Sequence, residues 1–243
     1  MGKTVSKTDI GLKRQLNQDY VFTADLPVGK LPNLYLVADG MGGHRAGGFA
    51  SKYAVETIVE EISGNRREEE VFSILNQAII EANYKVRKKA AEDESMAGMG
   101  TTLVAATIEG EILKVANVGD SRLYLVNEGI RQITIDHSLV EEMIRMGGLD
   151  REQARNHENK NIITRAIGAQ KEIHPDFFEV NLQKGDKIFM CTDGVSNMLT
   201  DEEIFEILNE EGSDEERIDK IVAMANEHGG RDNMGIVFIN PQW

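Results

Sequence analysis

The chain has 243 residues, of which 41% are hydrophobic, and it carries a formal net charge of -14. This length suits one large domain or two small ones, and the apolar content is enough for a substantial core. The acidic balance argues against a basic face for nucleic acid or an anionic membrane, so we expect neither partner. If the chain handles phosphate, the same balance favours bound cations over arginines alone.

The single cysteine, Cys191, rules out an internal disulfide and suits a reducing cytosol. It lies in the apolar run 187–192, which indicates a buried structural thiol. The sequence contains no apolar stretch of membrane-spanning length and opens with no secretory signal. Residues 1–6 fit the loose myristoylation pattern, but that pattern is short and carries little weight. We therefore expect a cytoplasmic protein.

The first part of the chain predicts strands followed by two helices. Residues 20–22 begin a strand, 26–33 form a loop, and 34–38 form a buried strand. Residues 46–63 and 67–92 space their apolar side chains three and four apart, as amphipathic helices do.

The middle of the chain predicts four short, β-branched strands separated by turns, in the spacing of an antiparallel meander. These strands cover 101–108, 112–118, 122–127 and 130–134. A short helix is predicted over 138–146. Residues 149–170 are polar and weakly periodic, which is typical of a mobile insertion.

The last part predicts a strand pair, 177–182 and 187–192, across a turn at 184–186. Helices over 201–208 and 214–225 and a final strand over 234–239 follow. Runs of strands with helices in pairs predict an α+β fold, with sheets inside and helix pairs outside.

The segment 34–48, LYLVADGMGGHRAGG, ends its apolar run at Asp39 and continues with glycines that would let backbone come close to a neighbour. A carboxylate at the end of a buried strand needs a partner, because an isolated buried charge is costly. A hard cation is one such partner. A plain hairpin turn is the alternative, since Asp-Gly is a common hairpin signal.

The same construction recurs, because four aspartates lie at the mouth of an apolar β segment. They are Asp39, Asp120, Asp193 and Asp232. If these ends converge, repulsion would force protons onto some carboxyls unless divalent cations keep them ionised. Oxygen-only ligation favours Mg²⁺ or Mn²⁺ over zinc. Taken singly, Asp120 could be a hairpin residue, Asp232 could pair with an arginine, and Asp19 could cap a turn.

The sequence lacks the motifs of other classes of protein that handle phosphate. A cysteine phosphatase needs an arginine six positions after its nucleophile, and Asn197 stands six positions after Cys191. Residues 40–48 lack the lysine of a phosphate-binding loop, and the loops of a protein kinase are absent.

Eight motifs stand in order between about residue 4 and residue 240. They are RQLNQD at 14–19, DGMGGH at 39–44, GTT at 100–102, NVGDSR at 117–122, DHSL at 136–139, TRAIG at 164–168, TDG at 192–194 and RDN at 231–233. Together they resemble the metal-dependent type 2C (PPM) Ser/Thr protein phosphatases in their compact bacterial form. The resemblance implies one phosphatase domain over 1–243. It also implies a four-layer α/β/β/α sandwich, two antiparallel sheets flanked by helix pairs, with a flap over about 145–170.

The resemblance implies two to three Mn²⁺ or Mg²⁺ ions. Asp39 would bridge two of them, and Asp193 and Asp232 would complete the first site. The carbonyl of Gly40 would serve the second site, where Asp19 would hold a metal-bound water.

Two further residues complete the implied site. Asp120 would join Asp193 in a third, weaker metal site, and Arg14 would grip the phosphate. A hydroxide bridging two metals would attack phosphorus in line. His44, by position only, or a metal-bound water would protonate the leaving alkoxide; a loop histidine bonded to backbone is the alternative for His44.

The sequence departs from the family pattern at Gln18, where many members carry Glu, and at Gly48, where an acidic residue is usual. We expect a phosphatase acting on phosphorylated proteins, with a Ser/Thr kinase and its substrates as partners. A regulator of one phosphorylated anti-sigma antagonist and a catalytically silent phosphoprotein-binding module are the alternatives. We expect a monomer, because no long apolar helical stripe is left without an intramolecular role.

Overall fold

The computed structural model describes residues 3–43, 45–65 and 70–241. In chain order its strands are β1 Lys3–Asp9, β2 Asp19–Ala24, β3 Leu34–Met41, β4 Gly100–Thr101, β5 Leu103–Glu109, β6 Ile112–Val118, β7 Arg122–Val126, β8 Ile130–Gln132, β9 Asp176–Asn181, β10 Lys187–Cys191 and β11 Met234–Asn240. Its helices are α1 Ala46–Gly64, α2 Val71–Glu92, α3 Leu139–Arg145, α4 Arg151–Arg155, α5 Asp193–Ser196, α6 Asp201–Leu208 and α7 Asp214–Glu227, with a 3-10 turn at Glu94–Met96.

The described strands form two antiparallel sheets. The first has the order β1-β11-β10-β7-β8, and the second has the order β2-β3-β5-β6-β9 with β4 beside β3. Some neighbouring strands in each sheet come from distant parts of the chain. The amino-terminal strand β1, for example, pairs with the last strand, β11.

The layers follow from the alternation of side chains along each strand. In β3, Leu34 and Leu36 pack in one core with α1 and α2, whereas Tyr35 and Val37 pack between the two sheets. In the other sheet, Phe238 faces the core that contains α5, α6 and α7, and its neighbours in the chain face the inter-sheet core. The result is the predicted four-layer α/β/β/α sandwich.

Two predicted strand pairings are wrong. The four strands of the predicted meander are divided between the sheets, because β5 pairs with β6 in one and β7 pairs with β8 in the other. The predicted pair 177–182 and 187–192 is also divided: β9 pairs with β6, and β10 lies between β7 and β11. Strands covered on both faces carry apolar side chains on both, so local pattern does not reveal their partners.

The main differences between the predicted elements and the structure concern β1, β3, β4 and α4. Strand β1 was not predicted, because its sequence KTVSKTD has few apolar residues. Strand β3 continues through Asp39 to Met41, so Asp39 does not lie in a hairpin turn. The strand predicted over 101–108 is interrupted at Thr102. The polar stretch 149–170 contains the short helix α4, which a capping box at Asp150 and Gln153 begins.

The predicted helices are confirmed, with small shifts at their ends. Helix α2 begins at Val71, and residues 67–69 of the prediction lie outside the described residues. Capping boxes begin α6 at Thr200 and α7 at Ser213. Across the described ranges, none of the helices combines the length and the apolar character that crossing a bilayer requires.

Candidate metal centre

The structure brings the strand-end aspartates together at one edge of the sandwich. They line a cavity of about 260 Å³ whose wall includes Arg14, Gln18, Asp39, Gly40, Asp120, Asp193 and Asp232. The ends of strands from both sheets meet here, because β2 and β3 belong to one sheet and β10 and β11 to the other. The edge predicted from the sequence therefore exists as one shared volume.

Asp19 and Asp39 face each other across two neighbouring strands. They are directly paired in the register of β2 and β3. The Asp39 carboxyl also lies within hydrogen-bonding reach of both Asp19 and Asp193. Three carboxyl groups thus share one small volume.

Burial and mutual repulsion make full ionisation of this group costly. Burial raises the pKa of Asp19 to about 8, and the charges of Asp193 and Asp232 add to the effect. Burial, followed by repulsion from neighbouring aspartates, also raises the pKa values of Asp39, Asp120 and Asp193 above their usual range. A cation among these carboxylates would allow all of them to ionise.

The donor set fits a hard divalent cation. Within the described residues, Asp19 Oδ1 and Asp193 Oδ1 are buried and have no hydrogen-bond partner. Buried oxygens of this kind are costly unless something satisfies them. In the same ranges no group of three or more aspartate, glutamate, histidine or cysteine side chains has the arrangement of a metal-ligand set. Oxygen ligands of this type suit Mg²⁺ or Mn²⁺.

Asp232 has an arginine partner, which was the alternative interpretation from the sequence. That partner is the distant Arg14 rather than the adjacent Arg231: Arg14 Nη2 lies 2.6 Å from Asp232 Oδ2. About half of the Arg14 side chain remains exposed (52%), so its guanidinium borders the cavity and can still meet an incoming anion. The hydrogen bond with Asp232 raises the pKa of Arg14 further and keeps it charged.

Three polar side chains hold the aspartates in place, and sequence reasoning assigned them no role. Thr192 Oγ1 donates to Asp19 Oδ2 at 2.7 Å and accepts the N–H of Gly235 at 2.8 Å. Asn197 Nδ2 donates to Asp193 Oδ2 at 2.9 Å. The N–H of Asp39 donates to Thr102 Oγ1 at 2.9 Å. The contacts of Thr192 and Thr102 join segments far apart in the chain, and only the motifs TDG and GTT pointed towards them. Asn197 lies four residues after Asp193 and outside both motifs.

Gly40 lies where three backbone segments meet. A Cβ built there would lie 2.0 Å from the carbonyl oxygen of Gly47 and 2.7 Å from that of Gln18, so a larger residue does not fit. The Gly40 N–H donates to the Gln18 carbonyl at 3.1 Å. The predicted close approach of backbone at this turn is thus an approach to the start of α1 and to the segment before β2.

The two departures from the family pattern lie side by side. Gln18 borders the cavity, and its backbone N–H donates to Asn233 Oδ1 at 2.8 Å. A Cβ at Gly48 would lie 3.3 Å from the Asn17 carbonyl oxygen and 3.6 Å from the Gln18 Cα. The small residue at 48 therefore lets the start of α1 pack closely against the segment that carries Gln18.

Three further predictions concern Asp120, the flap and His44. Asp120 is buried in the connection from β6 to β7, which lie in different sheets, so it is not a hairpin residue. Asn161 and Ile163, from the predicted flap, line the cavity. His44, the candidate proton donor, lies outside the described residues.

Comparison with known proteins places these features in a family. The family model described as Protein phosphatase 2C matches residues 12–227. The serine/threonine phosphatase stp of Listeria innocua is 40% identical over 210 residues, which cover 85% of this chain and 83% of that protein.

Solved structures give the same result. The S. agalactiae serine/threonine phosphatase superposes with a TM-score of 0.93 at 33% identity and covers 100% of both chains. The catalytic domain of the phosphatase PstP, solved with 2 manganese ions, superposes with a TM-score of 0.85 at 29% identity, covering 98% of this chain and 97% of that one. With its fold, its ordered motifs and its acidic centre, the chain belongs to the protein phosphatase 2C family.

Proposed function

We propose that the acidic cavity is the active site of this metal-dependent protein serine/threonine phosphatase. Membership of the family establishes the activity. The observation that supports this location is the clustering of Asp39 and Asp193 with the adjacent Asp19, including two unpartnered buried oxygens, at a cavity that Arg14 also lines. A bound cation would satisfy those oxygens, and the guanidinium can meet a phosphoryl group.

We assign the cation ligands from this geometry and from the family motifs. Asp39, Asp193 and Asp232 would hold the first ion, and Asp39 with the Gly40 carbonyl and a water held by Asp19 would hold the second. Asp120 would join Asp193 at a third ion. Bound Mn²⁺ or Mg²⁺ would supply a water of lowered pKa and neutralise charge on the phosphoryl oxygens.

The protein's own groups would bind and orient the substrate. Arg14 would bind the phosphoryl oxygens through charge-assisted hydrogen bonds, which its planar fork favours. Asp39 and Asp193 would keep their positions because Thr102 and Asn197 hold them. The leaving serine or threonine oxygen must gain a proton, and His44 or a water remains the proposed source.

We also propose that residues 1–243 work as one phosphatase domain whose flap, about 145–170, shapes access to the cavity. The proposed substrates are phosphorylated proteins, including a Ser/Thr kinase and its targets. The proposed setting is a cytoplasmic monomer.

The test is metal-dependent turnover of para-nitrophenyl phosphate and a phosphothreonine peptide with Mn²⁺, with Mg²⁺ and with chelator. Asp39→Asn and Asp193→Asn should each lower kcat by about a hundredfold or more, since they remove charge from the proposed metal centre. Asp219→Asn, on an exposed carboxylate that pairs with Lys7, is the matched control and should leave turnover unchanged.

Turnover that survives chelation, or that survives in both active-site variants, would contradict this assignment. A folded wild-type protein that binds phosphopeptide without turnover would favour the binding-module alternative and direct attention to Gln18 and Gly48.

A further inference from the structure

A second cavity, of about 220 Å³, lies beside the active site and is lined by basic and amide side chains. Its lining includes Arg155, Asn156, Lys160, Asn197, His228 and Arg231. These residues come from α4 and the segment after it, from the end of α5, and from the loop between α7 and β11. Three permanent or nearly permanent cations therefore meet in a protein whose net charge is -14.

Within the described residues no direct ion pair neutralises the cations of this basic pocket, although Arg155 and Lys160 also line a neighbouring cavity whose wall carries carboxylates such as Glu141 and Asp193. No carboxylate of the described residues lies within ion-pair distance of Lys160 or Arg231, and Arg155 donates to the carbonyl of Leu199 at 3.0 Å. His228 Nδ1 lies 3.0 Å from the Met198 carbonyl oxygen, with its nearest ion-pair partner, Glu203, at 3.9 Å.

The pKa of Lys160 is affected by the neighbouring positive charges. Partial burial, followed by the charges of Arg231 and Arg155, lowers its pKa, against a smaller opposing effect of Asp193. Its neighbours are thus close enough to repel it. An anion in the pocket would remove this repulsion.

The basic pocket is separated from the active site by one side chain. Asn197 lines the pocket, and its Nδ2 donates to Asp193 Oδ2, which borders the catalytic cavity. Arg231 precedes Asp232 in the chain, so their Cα atoms are about 3.8 Å apart. A single peptide segment can therefore reach both places.

We propose that the basic pocket binds a second phosphoryl group on the same substrate segment, so that the enzyme prefers doubly phosphorylated sites. This inference rests on the proposed function. A phosphoryl group carries about two negative charges and three acceptor oxygens near neutral pH. Two arginines and a lysine match that charge, and guanidinium groups bind phosphate in a bidentate manner.

The experiment compares peptides that share one phosphothreonine and carry, one to five residues to either side, a non-hydrolysable phosphonate analogue of phosphoserine, a glutamate or an alanine. At the best spacing, the phosphonate should raise kcat/KM for phosphate release about tenfold over alanine, through KM, as one added charged contact does. Glutamate should give a smaller gain.

Lys160→Gln and Arg231→Gln should each reduce the phosphonate gain and together abolish it. Their kcat/KM on the singly phosphorylated peptide should stay within about twofold of wild type, which also shows that they fold. Lys184→Gln, on an exposed turn elsewhere, removes the same charge and should keep the full gain.

Three results would overturn the proposal: no gain from the phosphonate at any spacing, an undiminished gain in the double variant, or an equal gain from glutamate. Calorimetry on the same peptides, with the phosphothreonine also replaced by its phosphonate, measures binding without turnover. It therefore tests the basic pocket separately from the proposed phosphatase function. Failure of turnover in wild type would refute the proposed function alone, whereas loss of the binding preference would refute the basic pocket.

Discussion

At the scale of single residues, Gly40 is a position beside the metal centre where a side chain has almost no room. A Cβ there would meet backbone oxygens of Gly47 and Gln18, which cannot rotate away as a flexible side chain can. Gly40→Ala should lower the free energy of unfolding by more than about 2 kcal/mol, since overpacking against fixed atoms costs about 1–3 kcal/mol or more. Urea denaturation measures this loss through its midpoint.

Gly43→Ala is the matched control, because a Cβ built at Gly43 has nothing within 4 Å. It should change the free energy of unfolding by less than about 0.5 kcal/mol. Equal effects at the two glycines would show that the close approach at Gly40 does not constrain the protein.

At the residue scale, the sequence identified the aspartates that the structure brings together, but not the side chains that hold them in place. Asp39 and Asp193 stood out because a charged residue at the end of an apolar run is a local signal. Thr192 and Asn197 gave no such signal, since a polar residue in a turn is ordinary until its partner is known. Arg14 likewise pairs with Asp232, 218 positions away.

At the scale of elements, Thr192 joins the two sheets at the active-site edge. Its hydroxyl donates to Asp19 at the start of β2 and accepts from Gly235 in β11. Thr192→Val keeps the shape but removes both hydrogen bonds. If Asp19 acts at the metal centre, the affinity for Mn²⁺ should fall about 10- to 100-fold, as it does when groups that orient metal ligands are lost.

Thr192→Ser keeps the hydroxyl and should retain near-wild-type affinity for Mn²⁺, measured by calorimetry and by the metal concentration that gives half-maximal activity. Equal loss in Ser and Val variants would point to packing of the methyl group instead. Unchanged affinity in the Val variant would contradict a role for this hydrogen bond.

Element types were predictable, whereas sheet partners were not. The apolar spacing of α1, α2, α6 and α7 is set within each helix, so it can be read locally. The partner of β10 depends on which strands the two-sheet core brings beside it, and β10 pairs with β7 and β11 rather than with β9, which precedes it in the chain.

At the scale of the whole molecule, the acidic centre couples stability to pH and metal. An unfolded aspartate ionises near pH 3.9, whereas burial raises the pKa of Asp19 to about 8 and those of Asp39 and Asp193 above the usual range. Between about pH 4 and 8 the metal-free folded state therefore binds more protons than the unfolded state. Stability must then fall as pH rises.

We expect the Tm of the chelated protein to fall by more than about 5 °C between pH 5 and 8, given about 2–4 °C per kcal/mol for a chain of this size. Saturating Mn²⁺ or Mg²⁺ at pH 8 should raise it again, since a ligand that binds the folded state stabilises it. Scanning calorimetry measures both effects.

Asp19→Asn is the control for the pH effect. It cannot ionise, so the metal-free variant should show a weaker fall in Tm over the same range. A metal-free wild type that gains stability towards pH 8 would contradict the proposed crowding of carboxylates.

By itself the sequence determined most of the helices and strands, their order, and the aspartates that end the buried strands, because apolar periodicity and the residues that end an element are local properties. The tertiary structure alone decided which strands share a sheet, which side chains position the aspartates, and that Arg155, Lys160 and Arg231 meet beside the active site. Apart from the Asn197–Asp193 hydrogen bond within one helical turn, these are contacts between distant segments, and they arise only when the sheets and helices pack around a common core.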